Sequence, residues 1–301
     1  MRLFFWRKAQ NPSEQQTQQR RWAWLGGRRV LTNTPYVLPK DKAEGDRLDL
    51  QHYLVRYVAR GNYRAPIRQP HAILDVATGT GIWAREMAEE FRQARVVGFD
   101  LDRTPLERAL EVLGPGGRFP SNFSFQTADA LKPFPFADGE FDVVHARFIS
   151  PFVPIPAWPQ VIGEMVRALA ERGIIEIVEL EARPTSASQA YNALAEAGSK
   201  LMAGRNLYQG VGDAVAGYLT EAGIQRVQQR KFTIGTGSEA RRQQRMLASD
   251  LLAAMEHAEG FIVRAKVMEE SRYDALLQQA RRELAQVGIT MPVVFSFGMK
   301  L

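Results

Sequence analysis

The chain has no cysteine. Disulfides, thiolate nucleophiles and cysteine-ligated zinc are therefore excluded. Histidine is scarce: His52, His71, His145 and His257 are the only four, and they stand far apart. That spacing argues against a histidine metal centre. No apolar run approaches the ~18 residues that a membrane-spanning helix needs. Leu3-Phe-Phe-Trp6 is apolar but too short for the hydrophobic part of a signal peptide. The default expectation is a cytoplasmic chain with no membrane span. What is present is 301 residues, 45% of them apolar. That is enough for one large α/β domain, or one domain with an appendage.

Excess acid is also missing, and the excess base is local. The net charge is +6. Residues 1–30 hold seven Lys/Arg (Arg2, Arg7, Lys8, Arg20, Arg21, Arg28, Arg29) and one acid, Glu14. The remaining 271 residues hold 32 basic and 32 acidic groups and are neutral. Three of the five tryptophans, Trp6, Trp22 and Trp24, share the basic stretch, and Asn11–Gln19 is polar and Gln-rich. Residues 1–30 therefore read as a tail. It is a candidate contact for anionic partners or a membrane surface, or a leader docking on the protein's own surface or on a second subunit as a homodimer. A nucleic-acid enzyme usually carries its basic stripe on the folded face, so nucleic acid is not the expected partner.

Beyond the tail the pattern alternates. Leu48–Val58 has helical periodicity, with Leu50, Leu54, Val55 and Val58 on one face. Pro66–Pro70 is a break. Strand and helix then follow one another: Ala72–Val76, Ile82–Phe91, Arg95–Phe99, Thr104–Leu113, Phe123–Thr127, Phe141–Ala146, Trp158–Ala170, Ile174–Leu180. Short apolar strands alternating with helices imply a parallel sheet covered on both faces. Thr104-Pro105 supplies an N-cap and first-turn proline, and Gly114–Gly117 ends that helix. After Arg183-Pro184 come helices over Ala187–Met202 and Gly212–Ala222 and a strand over Arg226–Ile234. Long charged helices over Glu239–His257 and Val267–Val287 and a last apolar strand, Met291–Met299, complete the chain.

The richest stretch is Ile73-Leu-Asp-Val-Ala-Thr-Gly-Thr-Gly81: an apolar strand, an aspartate, a glycine-spaced turn and a helix start. Gly79 and Gly81 permit a tight turn and close approach of a ligand. Gly79-Thr-Gly-Ile-Trp-Ala84 also fits the dinucleotide pattern, and Asp100 lies 19 residues after Gly81, near the ~20 expected of a ribose-binding acid. The glycines alone do not choose between NAD and S-adenosylmethionine. Asp75 favours the latter, because a strand-end carboxylate suits a cationic amine better than a pyrophosphate. Asp129 after the next strand-like run, and the acidic turn before Phe141, point the same way.

These pieces together resemble the class I methyltransferases. Asp75-x-Ala77-x-Gly79-x-Gly81 resembles their first motif, with alanine in place of the usual first glycine. Val96–Asp100 is similar to the second strand with its ribose-binding acid, and Ala128-Asp129-Ala130 to the adenine-contacting segment. Pro135–His145 resembles the approach to the fourth strand. Arg172-Gly173 with Ile174–Leu180 resembles the turn and fifth strand. Upstream, Tyr36–Asp41, Glu44 and Asp46–His52 are similar to the N-terminal segment of methyltransferases related to fungal regulators of secondary metabolism, as is Gly-Thr-Gly-Ile-Trp83. The resemblance covers roughly residues 30–185.

The resemblance implies a Rossmann-like, doubly wound seven-stranded sheet, mostly parallel with an antiparallel last strand. It would carry an N-terminal lid helix and a C-terminal helical cap. The expected divisions are a tail (1–30), a lid segment (31–65), a cofactor-binding core (66–185) and a cap with the last two strands (186–301). The implied cofactor is S-adenosylmethionine. Asp75 would serve its amino group and Ala77, Thr78, Gly79, Thr80 and Gly81 the turn beneath it. Asp100 would serve the ribose; Leu101, Asp129 and Ala130 the adenine. Trp83, Ala146 and Arg147 would complete the site, with Tyr36 and Arg47 closing over it. His145 is the candidate base, with Glu181 (or Glu179) on the same rim. Phe148, Phe152, Trp158, Tyr191, Met202 and Tyr208 are candidate walls for a small, partly apolar acceptor with an O, N or C nucleophile. Two rivals are an NAD-dependent oxidoreductase and a non-catalytic S-adenosylmethionine-binding regulator.

Overall fold

The computed structural model describes residues 22–25, 28–31, 41–112, 118–208 and 210–301. Tyr36, Trp6 and the Gly114–Gly117 turn lie outside them. Within the stretch read as a tail, Trp22–Leu25 (β1) and Arg28–Leu31 (β2) pair as an antiparallel hairpin.

The short apolar runs become strands β3 (Ala72–Val76), β4 (Arg95–Asp100), β5 (Phe123–Thr127) and β6 (Phe141–Arg147). The next strand, β7, spans Leu169–Leu180. It begins before the expected start at Ile174, because Leu169 already pairs with Phe141; the register then shifts before Ile174 pairs with Val143, and Arg172 within this irregularity is left-handed at φ 64°. The last two strands are β8 (Gln225–Ile234) and β9 (Met291–Met299). Together they form one seven-stranded sheet in the order β5-β4-β3-β6-β7-β9-β8. The first five are mutually parallel, and β9 runs antiparallel to both its neighbours. The expected antiparallel final strand is therefore present.

Helices cover both faces. Side chains alternate across a strand, so Leu74, Val76, Val144, Ala146, Ile175 and Ile177 meet α4 (Trp158–Ala168) and α6 (Gly212–Glu221). Ile73, Val143 and Ile174 point the other way, against α2 (Ile82–Glu90). Helix α3 (Thr104–Val112) follows β4. A second core joins α1 (Lys42–Ala59), α5 (Gln189–Ala203), α7 (Ala240–Arg264) and α8 (Glu270–Val287) to β8 and β9.

The turn after β3 holds three consecutive alternate residues at positive φ: Ala77 at 56°, Gly79 at 58° and Gly81 at 74°. Glycine tolerates this; alanine does so at a cost. Helix α1 lies over the turn. Asp41 caps its N-terminus by accepting from the Glu44 N–H. Leu48 packs beside Gly79, and Thr80 Oγ1 donates to Asp49 at 2.6 Å. The buried His52 ties α1 to two other elements. Arg147 donates to its Nδ1 at 2.9 Å, so its Nε2–H donates to Glu86 on α2 at 3.1 Å. Burial, with Arg147 beside it, lowers the His52 pKa to about 4.

Two outcomes follow. Ala77→Gly removes the left-handed strain at the loss of some chain stiffness, and should raise the unfolding free energy by about 0.5–1 kcal/mol in urea titration. His52 binds its proton more weakly folded than unfolded, so its contribution is complete above the unfolded value of 6.5 and is lost as pH falls toward about 4. The stability difference between the wild type and His52→Gln should therefore shrink between those pH values by up to about 3 kcal/mol. A pH-independent difference would contradict the neutral, doubly bonded imidazole.

Candidate functional site

One cavity opens where the parallel strands end, beside the glycine turn. Asp75 of β3, Asp100 of β4 and Asp129 after β5 line it, with Ala77, Thr78, Gly79, Thr80, Trp83, Leu101, Ala130, His145 and Arg147. This is the crevice beyond the carboxyl ends of the strands, where ligands bind in open α/β sheets. The wall on the α1 side comes from Asp41, Glu44, Gly45, Leu48 and Gln51, and Phe148 and Phe152 border the far end.

Asp75 is buried and its carboxylate is held on both oxygens. Thr78 Oγ1 donates to Oδ2 at 2.6 Å, and His145 Nδ1 stands 2.9 Å from Oδ1. A carboxylate can accept further hydrogen bonds beyond these two. His145 is opposite Asp75 in the β3–β6 register. Its ring stacks flat on Trp83, with centroids 3.6 Å apart, and Trp83 Nε1 donates to the Asn62 carbonyl at 2.9 Å. Burial lowers the His145 pKa, opposed by Asp75. Across β4 from Asp75 stands Gly98. A Cβ there would come within 2.8 Å of Thr78 Oγ1, so the missing side chain makes room for the threonine that holds Asp75.

Asp100 bridges the two halves of the turn. Its Oδ2 accepts the Gly79 N–H and its Oδ1 the Asp102 N–H, each at 3.1 Å. Asp129 Oδ1 accepts the Leu131 N–H at 2.9 Å, a turn-forming contact. Arg147 reaches the cavity from β6; burial lowers its pKa to about 10, opposed by Asp75, Glu86 and Asp49. The wall thus holds five carboxylates (Asp41, Glu44, Asp75, Asp100, Asp129) and one guanidinium. Its field favours a cationic ligand over a pyrophosphate.

Some expected residues sit elsewhere. Gly81 caps α2 behind the cavity with φ 74°, and Ala146 faces the opposite core. The Arg47 guanidinium is turned away, donating twice to Glu44 at 2.9 and 2.8 Å and once to Asp250 of α7 at 2.8 Å. It braces Glu44, which does line the cavity, and His257 Nδ1 lies 2.7 Å from the same carboxylate. Glu181 is bound to Lys231 at 2.5 Å, apart from the cavity wall. Glu179 is buried and accepts from Ile149 N, Ser150 N and Ser150 Oγ. Burial raises its pKa to about 7. It braces the loop that follows Phe148, itself at φ 52°. Trp158, Tyr191 and Met202 are core residues, and Tyr208 is exposed. Sequence reasoning missed Gly45, Leu48 and Gln51 as wall residues; the only available signal was the Glu44–His52 stretch, whose cavity-facing side depends on how α1 docks.

Residues 73–173 match the family described as a methyltransferase domain. Methyltransferase str3 of Strobilurus tenacellus is 37% identical over 122 residues, 40% of this chain and 40% of that protein. Secondary metabolism regulator LAE1 of Cochliobolus heterostrophus is 32% identical over 171 residues, 54% of this chain and 50% of that protein. The chain thus spans half or less of the length of these curated relatives. The YcgJ protein from Bacillus subtilis shares the fold: TM-score 0.51 at 16% identity, over 83% of this chain and 98% of that one. Residues 73–173, which hold the glycine turn and the strand-end aspartates, thus match a methyltransferase domain, and the sheet around them shares its fold with the Bacillus protein.

Proposed function

We propose that the protein transfers a methyl group from S-adenosylmethionine to an O, N or C nucleophile of a small, partly apolar acceptor. The observation that carries this reading is the set of three carboxylates, Asp75, Asp100 and Asp129, on one cavity wall beside a glycine turn. A sulfonium carrying an ammonium group matches an acidic wall; a dinucleotide pyrophosphate is repelled by it.

The residues fit the cofactor. Asp75 would take the ammonium, Asp100 the ribose hydroxyls, Leu101 and Ala130 the adenine, with Asp129 at its edge. Bound there, S-adenosylmethionine supplies an electrophilic methyl on its own leaving group. The chain's task is alignment, which can contribute ~7–11 kcal/mol. Gly79 lets the backbone approach the ligand, and Leu48, Gln51 and Glu44 on α1 act as the lid. Phe148 and Phe152 border the acceptor end. Arg147, held by His52, is placed to receive an acidic group of the acceptor. His145 is tied to Asp75 and covered by Trp83, so its first service is to hold that carboxylate. Helices α5, α7 and α8 form the cap.

Calorimetric titration with S-adenosylhomocysteine tests the cofactor. Micromolar binding is expected, weakened at least tenfold, or about 1.4 kcal/mol, by Asp100→Ala, with no binding of NADH. NADH binding alone would support the oxidoreductase reading instead. A panel of small acceptors with isotopically labelled methyl donor then tests transfer. Binding with transfer to none of them would favour a regulator that reads the cofactor without consuming it.

A further inference from the structure

A row of three ionisable residues crosses the sheet beneath α2. In the strand register Asp75 stands opposite His145, and His145 opposite Glu176 of β7. All three point to the face that also carries Ile73, Val143 and Ile174 two positions earlier. His145 and Glu176 are each 1% exposed, and Asp75 is 4% exposed.

The hydrogen bonds of this row fix where its protons are. Asp75 accepts from Thr78 and from His145 Nδ1, so the imidazole carries its proton on Nδ1. Nε2 is then an acceptor, and it has no partner. Glu176 Oε2 accepts the Arg64 and Ala65 N–H groups at 2.8 and 2.7 Å. Its Oε1 is buried and also without a partner. Two buried groups in adjacent register positions thus lack each other's complement: an acceptor nitrogen and a carboxyl oxygen. Asn62 Oδ1 and Arg64 Nε, from the loop that covers the same corner, are buried and unpaired as well. A buried polar group left unpaired is costly, and here two stand in adjacent register positions.

We propose that Glu176 is a positioning residue for the cofactor site: it is protonated on Oε1 and donates, through one internal water, to His145 Nε2. That bond holds the imidazole in the tautomer whose Nδ1–H fixes Asp75, and so orients the carboxylate toward the ligand's ammonium group. The cofactor part of this inference rests on the function proposed above. Burial raises the Glu176 pKa to about 7, against the pull of Arg64 and its backbone N–H bonds, in keeping with a carboxylic acid there. The other groups facing the row are Arg147 on β6, Tyr63 in the covering loop, and Glu86 on α2 behind Arg147. Phe297 of β9 closes its far end.

The folded acid binds its proton more tightly than the unfolded chain, so Glu176's own contribution to stability is complete below 4.5 and is lost as pH rises to about 7. Glu176→Gln keeps an acceptor for the two loop N–H groups and a permanent donor for Nε2. Its urea midpoint should match the wild type near pH 5 and exceed it at pH 8.

The deciding experiment is histidine-selective ¹⁵N NMR of the full chain without ligand, compared between wild type, Glu176→Gln and Glu176→Ala. His145 should show a protonated Nδ1 and a hydrogen-bonded Nε2. The Nε2 resonance should move as pH rises through Glu176's titration in the wild type and stay fixed in Glu176→Gln. In Glu176→Ala it should resemble an acceptor without a donor. S-adenosylhomocysteine affinity should weaken about threefold or more between pH 6 and 8.5 relative to Glu176→Gln measured at the same pH. An Nε2–H tautomer, or an Nε2 resonance indifferent to both substitutions, would overturn the proposal. Failure of the ligand to bind at any pH would instead remove the function proposed above, leaving the ¹⁵N result to judge the row.

Discussion

The site depends on a buried carboxylate that must be correctly turned: Asp75. A buried carboxylate needs hydrogen-bond donors on its oxygens. The structure meets the requirement from three directions. Thr78 donates from the turn that follows, His145 donates from the neighbouring strand, and Gly98 on the other side omits a side chain so that Thr78 fits. Trp83 then covers His145. The glycine turn is a consequence of the same demand, since the chain must reverse within a few residues of Asp75 while leaving one side open.

Helix α1 is the second determinant. It forms a wall of the cavity and packs, with α5, α7 and α8, against the β9–β8 end of the sheet. Polar ties hold it, among them Thr80 to Asp49, His52 between Glu86 and Arg147, and, to α7, Glu44 to His257 and Arg47 to Asp250. The last makes α1 and α7 one unit around Glu44. A buried ion pair of this kind is weak evidence for stability, but breaking one partner leaves an uncompensated charge. The arrangement therefore sets the position of α1 more than it adds to the total stability.

The sheet was legible in the sequence because its signals are local. Short apolar strands, glycine turns and alternating helices identify the element order without knowledge of contacts, and the strands β3, β4, β5 and β6 fall where the apolar runs stand. The start of β7 was not, since its first residues pair at Leu169 with Phe141, before the left-handed Arg172 that reads as a turn. In the site, Asp75, Asp100 and Asp129 could be found because each ends a strand. Arg47 could not be placed, because its partner Asp250 lies 203 residues away. Nor could Glu179, read as a rim residue: its role depends on the backbone of Ile149 and Ser150, which only the fold brings to it. Leu48 and Gln51 carry no chemical signature at all; they matter through the face of α1 that meets the turn.

The account turns on one geometry, a ligand ammonium on Asp75 and ribose hydroxyls on Asp100. A crystal structure of the protein with S-adenosylhomocysteine measures it directly. The account predicts the amino nitrogen within hydrogen-bonding distance of Asp75 Oδ1 or Oδ2, or one water away, and both ribose hydroxyls on Asp100. A ligand bound elsewhere, or bound with its amino group directed away from Asp75, would contradict it.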